Sequence, residues 1–481
     1  MIKKWLGKLS VVMFLIFGLV MFFYPMLINS SNMFGDLGDT RFVTYVLEHF
    51  YKWITHQGLH TSFWNMPMFY PYENTLAFSD VMLGGIPLYV PFRMLGVSPL
   101  GAMQACGMLA QTLNFVAFYF LMRKTFKFEY WISGAAAFLF AFGLPRHIQM
   151  GHVQLLFQFF MIFAILAFSK INAKNSNLKN HLLFLTTSLM FALQIYTSFY
   201  YGWFMIFGGT LALLIGLCFK NSRTAIIEFV KNFKKGILLY AVVTFVLLLP
   251  LGYHYLLVDG KFGWCNDFML KPFSFLTSQS LFDSKLWNFQ FKYNMEAWTG
   301  IGFLSTVLIF IGMWKSRYRW QLLLFTLFVV LFFFNIPMNR FIHYNFPGGT
   351  AIRAGGRCIF LLLPVFAYGV AVFLKKTSNQ LIAIIFFVLI FAEQIPYESG
   401  FSWTKQEHYQ RLSQYHIPQE CHVFYYRTRK YMQDYDCIYD IDLIWKADAE
   451  NKYTANGYSG FMPFYIEGSV PENCVFEIEN K

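Results

Sequence analysis

Charge is what this chain of 481 residues has least of. Asp, Glu, Lys and Arg make up 13% of it, about half of the roughly 25% that soluble domains carry. An ordinary water-facing surface over most of its length is therefore excluded. Cysteine is sparse at seven residues, with no C-x-x-C pair and no paired Cys/His spacing, so nothing in the pattern suggests zinc. The phosphate-cradling pattern GxxxxGK[ST] is absent, and so are internal repeats and low-complexity tracts.

What fills the chain instead is apolar: 57% of all residues, 60 of them Phe. Several runs reach the ~20 residues a helix needs to cross about 30 Å of hydrocarbon. A closed β-barrel would alternate apolar and polar residues. These runs are continuously apolar, which predicts helices. Eleven spans are expected, at about 8–28, 98–122, 130–146, 153–169, 181–197, 201–219, 236–257, 298–314, 319–337, 355–374 and 379–396. The run at 8–28 follows three lysines as a secretory signal would, but it is long and lacks a small-residue cleavage site, so it reads as a retained first span. The stretch 81–95 is short and broken by Gly84, Gly85, Pro87 and Pro91, which predicts a re-entrant or interfacial segment.

Basic residues set the orientation. With the N-terminus inside, the inner segments are 1–8, 123–129, 170–180, 220–235, 315–319 and 375–378. Each carries Lys or Arg, and together they hold just two acids, Glu129 and Glu228. The net charge of +13 is then accounted for by loops beside anionic headgroups, with no nucleic-acid partner required. The expected fold is mainly α: a polytopic transmembrane helix bundle over 1–396, N-terminus in and C-terminus out, with a small extracytoplasmic α+β tail domain over 397–481. Cys421, Cys437 and Cys474 lie in that tail and Cys265 in an outer loop. An oxidising compartment permits a disulfide but the spacing does not choose the pair.

Four outer regions exceed mere connectors: 29–97, 258–297, 338–354 and the tail. The first begins Gly35-Asp36-Leu37-Gly38-Asp39-Thr40-Arg41. Two carboxylates three residues apart at the mouth of a span can supply a general base or ligate a divalent ion such as Mg or Mn; alternatively Asp39 is an N-cap and Asp36 a turn residue. Residues 41–57 carry an apolar stripe (Val43, Val46, Leu47, Phe50, Ile54) opposite Thr44, Glu48, Lys52 and Thr55, which predicts an amphipathic helix in the outer interface. Glu73 and Asp80 follow in an aromatic, proline-bearing loop and add carboxylates. Arg146, His147, Gln149, His152 and Gln154 cluster at a short outer turn and suit phosphate or sugar hydroxyls. His147 and His152, five apart across a glycine, do not have helical metal-ligand spacing. Arg353 and Arg357, four apart among glycines before the tenth span, suit bidentate phosphate recognition, or else simply reach toward headgroups. The loop 258–297 shows no constellation.

Five stretches carry a resemblance to a known group: Gly35–Asp39; Phe69-Tyr70-Pro71 through Asp80; Gly151-His152-Val153-Gln154; Arg353 with Arg357; and Asn456-Gly457-Tyr458-Ser459-Gly460-Phe461-Met462-Pro463. With them the chain resembles the GT-C superfamily of polytopic membrane glycosyltransferases, in a bacterial subgroup. The resemblance implies transfer of a hexose or pentose from a polyprenyl-phosphate donor to an envelope lipid, glycan or protein, with inversion, at the outer face of the bacterial cytoplasmic membrane. It implies a first-loop carboxylate as base, which maps onto Asp36, preferred for its closeness to the first span, or Asp39. Arg353, Arg357, His152, Gln154, Glu73, Asp80 and Arg146 are then the candidate substrate-binding residues. No Asp-x-Asp is present, so a metal ion, held by Asp36 and Asp39 if by anything, stays open. A lipid-linked glycan transporter or flippase, which would show polar residues at mid-membrane, and a non-catalytic envelope assembly factor are the competing expectations.

Overall fold

The computed structural model describes the chain except residues 1, 173–176, 259–267, 287–293, 335, 337–339, 342–343, 346–347, 398–399, 428–437, 461–462, 464–466 and 478–481, with 2–4 and 284–286 as backbone. Cys265, Cys437, Phe461 and Met462 therefore lie outside the described residues. The chain is mainly helical, with a helix in each of the eleven apolar stretches. Trp5–Ile28, Pro99–Thr125, Phe199–Cys218, Lys234–Leu256 and Gly355–Lys376 are long and apolar enough to cross a membrane, by length and composition. Val153–Phe168, Phe303–Lys315, Arg319–Phe333 and Gln380–Glu393 are shorter apolar helices. Tyr130–Phe142 and Leu178–Thr197 fill the remaining two stretches. This is an integral membrane protein.

The first helix, Ile2–Ile28, breaks at Phe23, two residues before Pro25. Proline has no N–H to donate and its ring clashes with the preceding turn. That helix packs on Tyr130–Phe142, where Gly134 and Ala135–Ala137 are buried, small residues that let helix backbones come close. Helix Ile359–Lys376 packs along Phe303–Lys315 with most of its residues buried.

The first loop and the tail are joined by backbone pairing. Asn32–Met33 pairs antiparallel with Trp403–Thr404, and the Gly35 N–H donates to the Gly400 carbonyl at 3.0 Å. The tail carries a parallel sheet with Val423–Arg427 at its centre, flanked by Tyr453–Thr454 and Val475–Glu477. Thr404 caps helix Lys405–Ser413 by accepting from the Glu407 N–H. Helix Ile438–Glu450 lies beside it. Among the described residues a disulfide joins Cys421 to Cys474, with Cα atoms 5.7 Å apart.

The amphipathic helix of the first loop runs Asp39–Ile54, and Thr40 through Phe50 are all buried. The expected amphipathic helix therefore has most of both its apolar stripe and its polar side buried. Its polar side is covered by protein. Arg41 meets Asp442 of the tail at 2.6 Å, Lys52 meets Asp448 at 2.7 Å, and Glu48 holds Arg93 and the Tyr89 hydroxyl, each at 2.7 Å. Amphipathicity identified two unlike faces; the covering of the polar one came from complementary charges distant in sequence. The broken stretch 81–95 folds into a short turn and helix Ile86–Met94, which packs on Asp39–Ile54 and Pro99–Phe120.

Candidate active site

The turn before helix Asp39–Ile54 is built by its own side chains. The Asp36 carboxylate accepts from the Gly38 N–H at 2.8 Å. The Thr40 hydroxyl accepts from the Asp36 N–H and donates to the Gly151 carbonyl at 3.2 Å. The Asp36 carboxylate lies so close to Gly151 that a Cβ there would sit 2.1 Å from its oxygen, so a larger residue would push that carboxylate aside. This docking brings His152 onto Asp39, the first residue of the helix.

From Asp39 a continuous chain of polar contacts runs to Arg357. Tyr458 of the tail donates its hydroxyl to one Asp39 oxygen, and His152 Nδ1 contacts the other. His152 Nε2 reaches Glu296 at 2.5 Å. Arg357 grips Glu296 with two N–H groups, at 2.8 and 3.1 Å, and its guanidinium lies over the Tyr200 ring at 4.9 Å. Ionised carboxylates only accept, so an imidazole with a carboxylate on each nitrogen carries both protons. Gly356 permits this approach: a Cβ there would lie 2.0 Å from the Glu296 carbonyl.

The charges set each other. Burial and the Arg357 charge push His152 down, yet Asp39 and Glu296 outweigh them and hold it at about 9. Burial pushes Asp39 up, and His152 and the Tyr458 hydrogen bond prevail to hold it below the ordinary range. Burial likewise raises Glu296, and Arg357 with His152 hold it well below. Asp36 is raised, by burial first and by the neighbouring Asp39 charge second. Two anions and two cations thus stand fixed in one row, a pre-oriented field of the kind that stabilises developing charge.

The row forms part of the wall of a cavity of about 490 Å³. Asp39, Asp80, His152, Gln154, Arg353 and Arg357 all line it, with Glu296 and Tyr458. An apolar side is made by Phe42, Phe78, Phe199, Tyr255 and Val258. Arg353 is exposed at its edge. Asp80 accepts from the Phe199 N–H at 2.7 Å, at the start of helix Phe199–Cys218. Burial pushes its carboxyl up to about 6, with the Phe199 N–H and the arginines opposing.

Three expected residues stand elsewhere. Asp36 is not among the lining residues; it lies behind Asp39 against Gly151. Glu73 is exposed and away from the cavity. Arg146 is wholly buried, and its guanidinium bonds the Phe140 and Leu155 carbonyls and Gln158. That is a packing role, since all those partners belong to the helix bundle. Glu296 and Tyr458 were not singled out from the sequence. Glu296 reaches its partners across 144 and 61 positions from a loop with no local motif. Tyr458 sits inside the Asn456–Pro463 motif, which was the only signal available for it.

As arranged, these residues do not fit a divalent cation. The His152 nitrogens point to opposite carboxylates, Arg357 takes both oxygens of Glu296, and no three His, Cys, Asp or Glu converge on a point among the described residues.

No family model matches the sequence, and no curated protein matches it. The fold is similar to that of the oligosaccharyltransferase of Archaeoglobus fulgidus, solved as a complex with zinc and sulfate. The match has a TM-score of 0.50 at 13% identity and covers 93% of this chain and 62% of that one. The chain thus spans less than two thirds of that protein's length. The likeness is one of fold.

Proposed function

We propose that the chain is a membrane glycosyltransferase of the GT-C type. It moves a sugar from a polyprenyl-phosphate donor to an envelope lipid, glycan or protein on the non-cytoplasmic face, with inversion. In this reading the eleven helical stretches all cross, with the N-terminus in and the tail out, in a bacterial cytoplasmic membrane.

The observation that carries the reading is a single cavity where carboxylates of the first outer loop face the arginines at the head of helix Ile359–Lys376. Transfer from a phosphate needs both. The acceptor hydroxyl loses a proton as it attacks, which a placed carboxylate assists by roughly 10²–10⁴-fold. The leaving phosphate gathers negative charge, which Arg353, Arg357 and protonated His152 stabilise. Asp39 and Glu296 keep His152 charged and in place. The apolar side, from Phe42 to Val258, suits the first isoprene units of the donor. The oligosaccharyltransferase-like fold supports the same class of reaction.

The test is transfer or hydrolysis by the purified full-length protein, using a panel of labelled polyprenyl-phosphate sugars. Sugar release from one donor is expected. No release across hexose and pentose donors, with lipid-linked glycan crossing proteoliposomes instead, rejects the enzyme in favour of a transporter.

A further inference from the structure

The site holds four carboxylates, and three are unsuited to take a proton from an acceptor. Asp36 does not reach the cavity. Both Asp39 oxygens already accept hydrogen bonds, from Tyr458 and His152. Both Glu296 oxygens are held by Arg357, and one of them by His152 as well. Carboxylates saturated by cations are weak bases, because their charge is already stabilised.

Asp80 differs. It lines the cavity, and one oxygen is anchored by the Phe199 N–H at the head of helix Phe199–Cys218. Among the described residues its other oxygen makes no hydrogen bond, and it is not sealed from the cavity. The Tyr255 hydroxyl donates to the neighbouring Ser79 carbonyl at 3.1 Å and steadies the segment. The groups that act on Asp80 are Arg353 and Arg357 from the segment before helix Ile359–Lys376, Asp39 from the first loop and Tyr255 beside it.

Resting on the glycosyltransferase reading, we propose that Asp80, not Asp36 or Asp39, is the proton acceptor of the transfer. The acceptor O–H proton passes to the unbonded Asp80 oxygen as the acceptor oxygen bonds the anomeric carbon. The bond from that carbon to the phosphate oxygen breaks, and its electron pair leaves with polyprenyl phosphate. Asp80 then releases the proton to water. Burial holds the Asp80 carboxyl at about 6, near the operating range in which a general base works best.

Asp80→Asn tests this cleanly, since the Asn carbonyl still accepts from the Phe199 N–H. With purified full-length protein, D80N is expected to lose roughly 10²–10⁴-fold in transfer rate. Its affinity for the labelled donor and its melting temperature should stay at wild-type values. D80E is expected to recover part of the rate with a displaced acid limb, and the wild type to show that limb near pH 6, falling as pH drops. Wild-type transfer in D80N alongside loss in D39N overturns the assignment alone. No transfer by the wild-type protein from any donor overturns the functional reading and the assignment with it.

Discussion

Helix Asp39–Ile54 serves two clusters of opposite charges from residues two positions apart. Residues two apart on a helix do not face each other, so Asp39 looks into the cavity and Arg41 away from it. Arg41 meets Asp442, with side chains 0% and 1% exposed, and Arg411 and the Tyr415 hydroxyl close the same carboxylate. The Arg41 Nη2–Asp442 contact is charge against charge, with no aligned hydrogen bond; Arg41 Nε is satisfied by His408 at 2.9 Å. On the other side, Asp39 and His152 keep 24% and 22% of their side chains open. The chemistry is alike, and access is what differs. A sealed network fixes the tail to the first loop. An open one can meet a substrate.

Breaking the sealed cluster gives the largest expected effect. Asp442→Asn leaves Arg41 buried without its counter-charge, at a cost of about 3–5 kcal/mol. Thermal unfolding of purified protein should drop sharply, and transfer should fall only as the folded fraction falls. An unchanged melting temperature with lost transfer would move that cluster into the functional class. Glu296→Gln is the converse. Transfer should fall roughly 10²–10³-fold, as when a preorganised charge is removed, with a smaller loss of stability because the cluster is open to water. Equal losses in melting temperature for the two variants would erase the distinction.

The smallest effect is on pH dependence. His152 is raised above its ordinary 6.5 to about 9, so its pairing contributes fully below 6.5 and is lost as pH rises through about 9. Asp39 and Glu296 are lowered from 3.8 and 4.5, so their contributions are present above those values and fade as pH falls below them. The open cluster is thus intact from about 4.5 to about 9. The alkaline limb of kcat/KM should lie near 9 in the wild type and shift in His152→Gln. An alkaline limb unmoved by that substitution would assign it to another group.

Much of the site was legible in local patterns. The acidic turn after the first helix, the Gly151-His152 turn, Asp80 and the arginine pair do meet around one cavity. Arg146 misled because a buried arginine that binds backbone carbonyls has the same sequence signature as one that binds phosphate. The preference for Asp36 rested on its nearness to the first span, a one-dimensional criterion. The structure turns its carboxylate into the Gly38 N–H and against Gly151, and leaves Asp39 in the wall.

The sequence by itself determined that the chain is membrane-embedded and helical, and where the eleven apolar helical stretches lie. A helix satisfies its backbone hydrogen bonds within one segment, so apolar length and composition are enough to specify it. Only the tertiary structure decided that helix Asp39–Ile54 is covered by the tail, that Glu296 and Arg357 clamp His152 on Asp39, and that Asp80 keeps an oxygen open. Those outcomes depend on groups up to some four hundred positions apart, such as Tyr458 and Asp39, separated by 419. Their energies exist only once packing brings them together and removes the water between them.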